Sequence, residues 1–193
     1  MFNLRLTKDY LLYLLKAKTR HGTHSPFVYR LVDKVIYDYS AKKVYDELIK
    51  LNAPIIDGHR SNKLNQLIYR LTADWQPATI IELGDPLGIT SQYLLKASPE
   101  AKIFSENVVD SPGLIFINTN NGQEAFGYFK QCLLKVNSGT LMLINGIYAN
   151  EGMKAAWIKI KTDHQVTVSI NLFWIGLTYF KKDQAKEDFV IKI

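Results

Sequence analysis

From Ala78 onward the chain alternates short apolar runs with longer stretches whose apolar residues recur at every third and fourth position. ATIIEL, AKIFSE, GLIFIN and GTLMLIN are rich in isoleucine, leucine and phenylalanine and read as strands, ATIIEL as a buried one. Ile89 to Ala97, Gly122 to Val136 and Glu151 to Lys161 carry the helical period. That order predicts a parallel sheet covered by helices. The end differs: VTVSINLF and WIGLTYFKK are two strand-like runs with no room between them for a crossover helix, so they are expected to pair antiparallel.

The first third is helical. Residues 4 to 19 and 26 to about 50 repeat apolar side chains at helical spacing, as in Phe27, Leu31, Val35 and Ile36. HGTHSPF between them supplies a turn in which Ser25 can cap and Pro26 can take the first helical position. Leu51 to Arg60 reads as a connection, and Ser61 to Trp75 as a helix capped by Ser61 and ended by the Gln76-Pro77 step. The expected organisation is a helical arm, 1–60, and an α/β region, 61–193, in one globular unit, because 193 residues with 47% apolar side chains build one core.

Charge adds a direction. The net charge is +6, and the excess lies wholly within residues 1–70, which hold 13 Lys and Arg against 6 acids. Such an arm suits an anionic partner, although scattered lysines are also the ordinary solvated face of helices, and irregular aromatic spacing disfavours a nucleic-acid platform. The N-terminal apolar run is broken by Lys8, Asp9 and Lys16, too short and too charged to span a bilayer, so no membrane partner is expected. The lone Cys132 sits on an apolar helical face and fits a reducing, cytoplasmic setting.

IELGDPLGITSQYLLKASPEAKIFSEN, Ile81 to Asn107, carries the chemistry. Gly84 and Gly88 at the end of a strand permit a sharp turn and a close ligand approach, and the helix that follows offers free N–H groups to a polar or anionic group. Glu106 closes the next strand 22 residues after Gly84, placed to accept both hydroxyls of a ribose. The same residues also serve as a plain strand-to-helix turn followed by a surface acid.

ELGDPLGITSQYL resembles the first motif of the class I S-adenosylmethionine-dependent methyltransferases, in particular the small-molecule O-methyltransferase branch. The antiparallel strand pair at the C-terminus is similar too. The resemblance runs from about Ser61 to Ile193, with a further likeness to bacterial members that begin with a helical HGxHSPF arm. It implies a Rossmann-like methyltransferase fold. It also implies that Glu82, Gly84 and Gly88 frame the methionine moiety of S-adenosylmethionine, with Thr90 and Ser91 at the helix start and Glu106 on the ribose. Asp85 and Pro86 depart from the motif, and Asp85 could hold a ligand amino group or favour the helix dipole.

Two further departures are larger. The branch ends its fourth and fifth strands on acids that hold a divalent metal; here Asn118, Asn145 and Gly146 stand in those places, and neutral amides bind a hard cation poorly. No metal site is expected. Only NVVDSP joins the Glu106 strand to GLIFIN, where the fold places a helix, a third strand and another helix, so a narrower sheet is expected, with the strand at Ala101 to Ser105 or its neighbour exposed, or covered by the arm or by a second subunit. His21 and His24 are the remaining candidates for catalysis, as a general base or a metal pair, or else hydrogen-bonded structure of the turn.

The expectation is a divergent methyltransferase-like protein that holds S-adenosylmethionine weakly, with small molecules as ligands and a homodimer compatible with the open edge. Retained catalysis, a non-catalytic binding or structural role, and anionic-partner binding through the arm stay open.

Overall fold

The computed structural model describes residues 4–52, 59–84, 88–105 and 109–193. Among these residues seven strands form one sheet: β1 (Thr79–Gly84), β2 (Lys102–Phe104), β3 (Leu114–Asn118), β4 (Leu141–Asn145), β5 (Val168–Asn171), β6 (Ile175–Tyr179) and β7 (Glu187–Val190). Their order is β2-β1-β3-β4-β6-β5-β7. β2, β1, β3 and β4 run parallel, β6 lies antiparallel between β4 and β5, and β7 returns parallel to β5. The expected α/β class and antiparallel pair are present. The expected narrowing is not: the sheet has seven strands because EDFV adds β7 at one edge, while β2 forms the other. Between Phe104 and Leu114 the described residues hold no helix or strand, so the sheet is shortened on the β2 side and extended on the far side.

Period-two alternation divides the apolar side chains between the faces. Ile80, Leu114, Phe116, Leu141 and Leu143 pack with α2 (Pro26–Leu31) and α4 (His59–Trp75). Ile81, Ile115, Ile117, Met142 and Ile144 pack with α6 (Gly122–Leu133) and α7 (Glu151–Thr162). Cys132 is fully buried in this second layer, and burial pushes its thiol pKa up to about 12. Such a thiol is inert near neutral pH.

The arm departs from its expected outline. α1 (Leu4–Lys16) stops three residues early, and a 3₁₀ turn occupies Arg20–Gly22. The helix expected over 26–50 divides into α2, a π-helical turn at Val32–Ile36 and α3 (Lys43–Asn52). Arg70 of α4 explains the break: its buried guanidinium donates to the carbonyls of Val35 (2.8 Å) and Ile36 (3.2 Å), drawing off the oxygens that a continuing helix would use. Pro26 takes the first turn as expected, but Ser25 makes no side-chain capping bond. α4 begins at His59, so Ser61 lies inside it and is not its cap.

Of the two outcomes expected for the β2 edge, exposure holds and cover by the arm does not, because the arm lies at the opposite edge. Lys18 bridges to Ile191 beyond β7, its N–H donating to Val190 O at 2.8 Å. β2 is left as a three-residue, partly exposed edge, short enough to discourage pairing with another chain.

Candidate functional site

The carboxyl ends of β1, β3 and β4 stand side by side, with Gly84 opposite Asn118. Gly84 has φ +98°, and a Cβ there would lie 2.2 Å from the Asn118 carbonyl oxygen. The two strand ends approach closely because one residue has no side chain. Gly88, at φ +66°, opens α5 (Ile89–Ala97) and has nothing within 4 Å of a Cβ position. Gly88 carries no side chain that could cap α5, so the first N–H groups of that helix point out of the β1–α5 junction without a cap from this position.

Glu82 is buried on β1. Its Oε2 accepts from Ser91 Oγ at 2.5 Å, whereas Oε1 has no hydrogen-bond partner among the described residues. Burial raises its pKa above the usual carboxylate range, and the Ser91 bond offsets this only in part. A buried carboxylate oxygen without a donor costs free energy unless a ligand supplies one. Thr90 Oγ1 donates to Asn65 Oδ1 at 3.1 Å, pinning the start of α5 to α4. Thr90 and Ser91 thus position the turn through their hydroxyls.

At the next strand ends Asn145 Nδ2 donates to Asn118 Oδ1 at 2.7 Å. The two amides that replace the resembled family's acids therefore bond to each other, where two carboxylates so placed would repel unless a cation lay between them. Among the described residues no group of three His, Cys, Asp or Glu could hold a metal ion. Millimolar magnesium or calcium should leave the melting temperature unchanged, as scanning fluorimetry would read; an upward shift would show a cation site on the folded state.

The structure does not bring His21 and His24 to these strand ends. Both are exposed. They follow Lys18, one strand beyond β7 and six strand spacings from β1, roughly 29 Å at about 4.8 Å each. Arg20 beside them pairs with Asp33 at 2.6 Å. Asp85 and Glu106 lie outside the described residues.

Sequence reasoning missed a cleft of about 840 Å³, on the α4 side of the sheet. α1 contributes Leu6 and Tyr10, α4 Leu64 and Leu67, and the β5–β6 turn Phe173 and Trp174. Lys63 and Arg70 are its basic side chains. The turn is strained: Phe173 has φ +65°, rare for a bulky residue, and its N–H donates to Asn171 Oδ1 at 2.9 Å. Phe173 stacks on Tyr148 at 4.7 Å and meets Tyr10 edge-on at 4.9 Å. Gly146 N–H donates to Trp174 O at 2.8 Å, which fixes the turn beside the end of β4. The available signal was the Phe173-Trp174 pair at the centre of the strand pair.

Comparison with known proteins gives the fold and no closer relationship. No family model matches the chain, and no curated protein matches it. Among solved structures it is similar to the S-adenosylhomocysteine-bound methyltransferase PaMTH1 of Podospora anserina, at 12% identity and TM-score 0.59 over 83% of this chain and 100% of that one. It is similar to TomG of Streptomyces achromogenes, an O-methyltransferase of tomaymycin synthesis in complex with S-adenosylmethionine, at 11% identity and TM-score 0.53 over 78% and 95%. A putative caffeoyl-CoA O-methyltransferase from Staphylococcus aureus is similar at 14% identity and TM-score 0.51 over 78% and 97%. The chain has the Rossmann-like α/β fold of S-adenosylmethionine-dependent methyltransferases.

Proposed function

We propose that the chain binds S-adenosylmethionine at the β1–α5 junction and is a methyltransferase-like protein that works without a divalent metal. The observation that carries this is the buried Oε1 of Glu82, unpartnered among the described residues, beside the start of α5 and the open space at Gly88. The amino-acid end of the cofactor offers both partners: an ammonium for Glu82, and a carboxylate for the N–H groups that open the helix. When bound, the cofactor would supply an electrophilic methyl group.

The chain's own residues account for orientation. Gly84 brings the β1 and β3 ends together, Ser91 fixes the Glu82 carboxylate, and the Tyr10, Phe173 and Trp174 rings make an aromatic wall beside the β4 end. Orientation of this kind can drive transfer to an acceptor that is already nucleophilic. Asn118 and Asn145 offer no base, and their mutual bond favours a second reading in which the cofactor is held and no methyl is transferred.

Calorimetric titration with S-adenosylhomocysteine and S-adenosylmethionine tests the first reading, and release of labelled S-adenosylhomocysteine with simple phenols tests the second. Binding in the high micromolar range is expected, with no transfer to simple phenols. Absence of heat at millimolar ligand would overturn the proposed cofactor, and turnover with phenols would remove the non-catalytic reading.

A further inference from the structure

α1 divides sharply by face. Arg5, Asp9 and Tyr13 turn inward: Arg5 donates to the carbonyls of Tyr148 (3.1 Å) and Ala149 (2.7 Å), Asp9 pairs with Arg5 and Lys154, and Tyr13 donates to Ile191 O. The outward positions are Leu4, Thr7, Lys8, Leu11, Leu12, Leu15 and Lys16, spaced at three and four. Leu4 is 78% exposed, Leu11 57%, Leu12 46% and Leu15 83%.

A helix resting on a protein normally turns polar side chains outward. This one presents four leucines, two lysines and no acid, since Asp9, the one acid of α1, is spent inside. Lys8 and Lys16 form no ion pair among the described residues. Four clustered leucines on one helical face differ from the single exposed apolar residues found on any surface.

A second copy of the chain suits this face poorly. A two-fold contact would set the face against itself, lysine towards lysine, with no acid to meet either. A helix of thirteen residues is about 20 Å long and about 10 Å wide, so the face offers on the order of 200 Å²; a stable dimer buries roughly 800 Å² on each partner. A lipid surface sets no such minimum. Leucines enter the boundary between headgroups and acyl chains, while lysine stems run along the helix and carry their ammonium groups to the phosphates.

We propose that α1 lies flat on an anionic bilayer surface, with Leu4, Leu11, Leu12 and Leu15 inserted and Lys8 and Lys16 among the headgroups. Lys18 and Lys192, joined by a backbone hydrogen bond at 3.0 Å, extend the basic rim past the end of the helix. The inward anchors hold α1 on the protein, so docking requires no unfolding. No described helix is long and apolar enough to cross a membrane, and lying in the interface requires neither that length nor freedom from charge.

Co-sedimentation of the full chain with phosphatidylcholine vesicles, with and without about 30% phosphatidylglycerol, tests this. The wild type should pellet with the anionic vesicles and not with the neutral ones. Leu11→Ser with Leu15→Ser, and separately Lys8→Glu with Lys16→Glu, should each lower partitioning about tenfold or more at an unchanged melting temperature, since all four positions are exposed. The proposal is overturned if the wild type stays in the supernatant, or if both variants bind as the wild type does. It is overturned equally if light scattering shows a dimer that the serine variant splits, because the leucines would then belong to a second copy.

Discussion

Gly84→Ala is expected to destabilise the protein by about 3 kcal/mol or more, lowering the melting temperature by roughly 6–12 °C for a chain of this size. Two costs add. The residue sits at φ +98°, where any L side chain is strained, and the new Cβ would lie 2.2 Å from the Asn118 carbonyl oxygen. That oxygen is backbone of β3, paired in register with β1, so it cannot move aside without shifting a central strand. Against a total stability of about 5–15 kcal/mol the loss is large. Gly88→Ala is the control: φ is again positive, but nothing lies within 4 Å of the added methyl, so only the strain of about 1 kcal/mol should appear. Thermal melts of the two variants side by side decide the matter. Equal shifts would mean that the close approach of β1 to β3 does not constrain this junction.

The strands of the central sheet were legible because burial on both faces forces near-continuous apolar runs, as in TIIELG, LIFIN and LMLIN. β7 was not. EDFV is short and acidic, and it becomes a strand through pairing with β5, with Asp188 held by Ser169 and Lys161. The shortened link after β2 was legible; its compensation at the other edge was not. The break in the helix over 26–50 depends on Arg70, more than thirty positions away, and no local period carries that information.

The site was legible unevenly for the same reason. Gly84 and Gly88 announce a turn, and the structure gives both positive φ. The three-residue spacing of His21 and His24 said nothing of place, which is set by the pairing of Lys18 with Ile191 at the far edge. Leucine repeats in α1 showed a helix without showing which leucines face outward, because inward and outward positions both carry apolar side chains. The aromatic cleft needs α1 and the β5–β6 turn together, and they meet only in three dimensions.

Glu82→Gln should move stability and binding in opposite directions. In the unfolded chain Glu82 ionises in the ordinary carboxylate range; in the folded protein burial raises its pKa, so the folded state holds the proton to higher pH. The folded state binds more protons across that window, and stability therefore falls as pH rises from the ordinary range through the raised value. Glutamine keeps the shape and an oxygen for Ser91 but cannot ionise. The empty variant should thus be more stable than the wild type near neutral pH by about 1–2 kcal/mol, roughly 2–8 °C in melting temperature, and the gain should vanish below the ordinary carboxylate range. If the free Oε1 receives the ligand's ammonium, the same change removes a charge-assisted bond and should weaken S-adenosylhomocysteine binding about ten- to a hundredfold. Melts across pH and calorimetry on one preparation read both effects. A variant that gains stability and keeps its affinity would leave Glu82 a structural acid; one that loses both would mean that its ionised form supports the fold through a partner of its own.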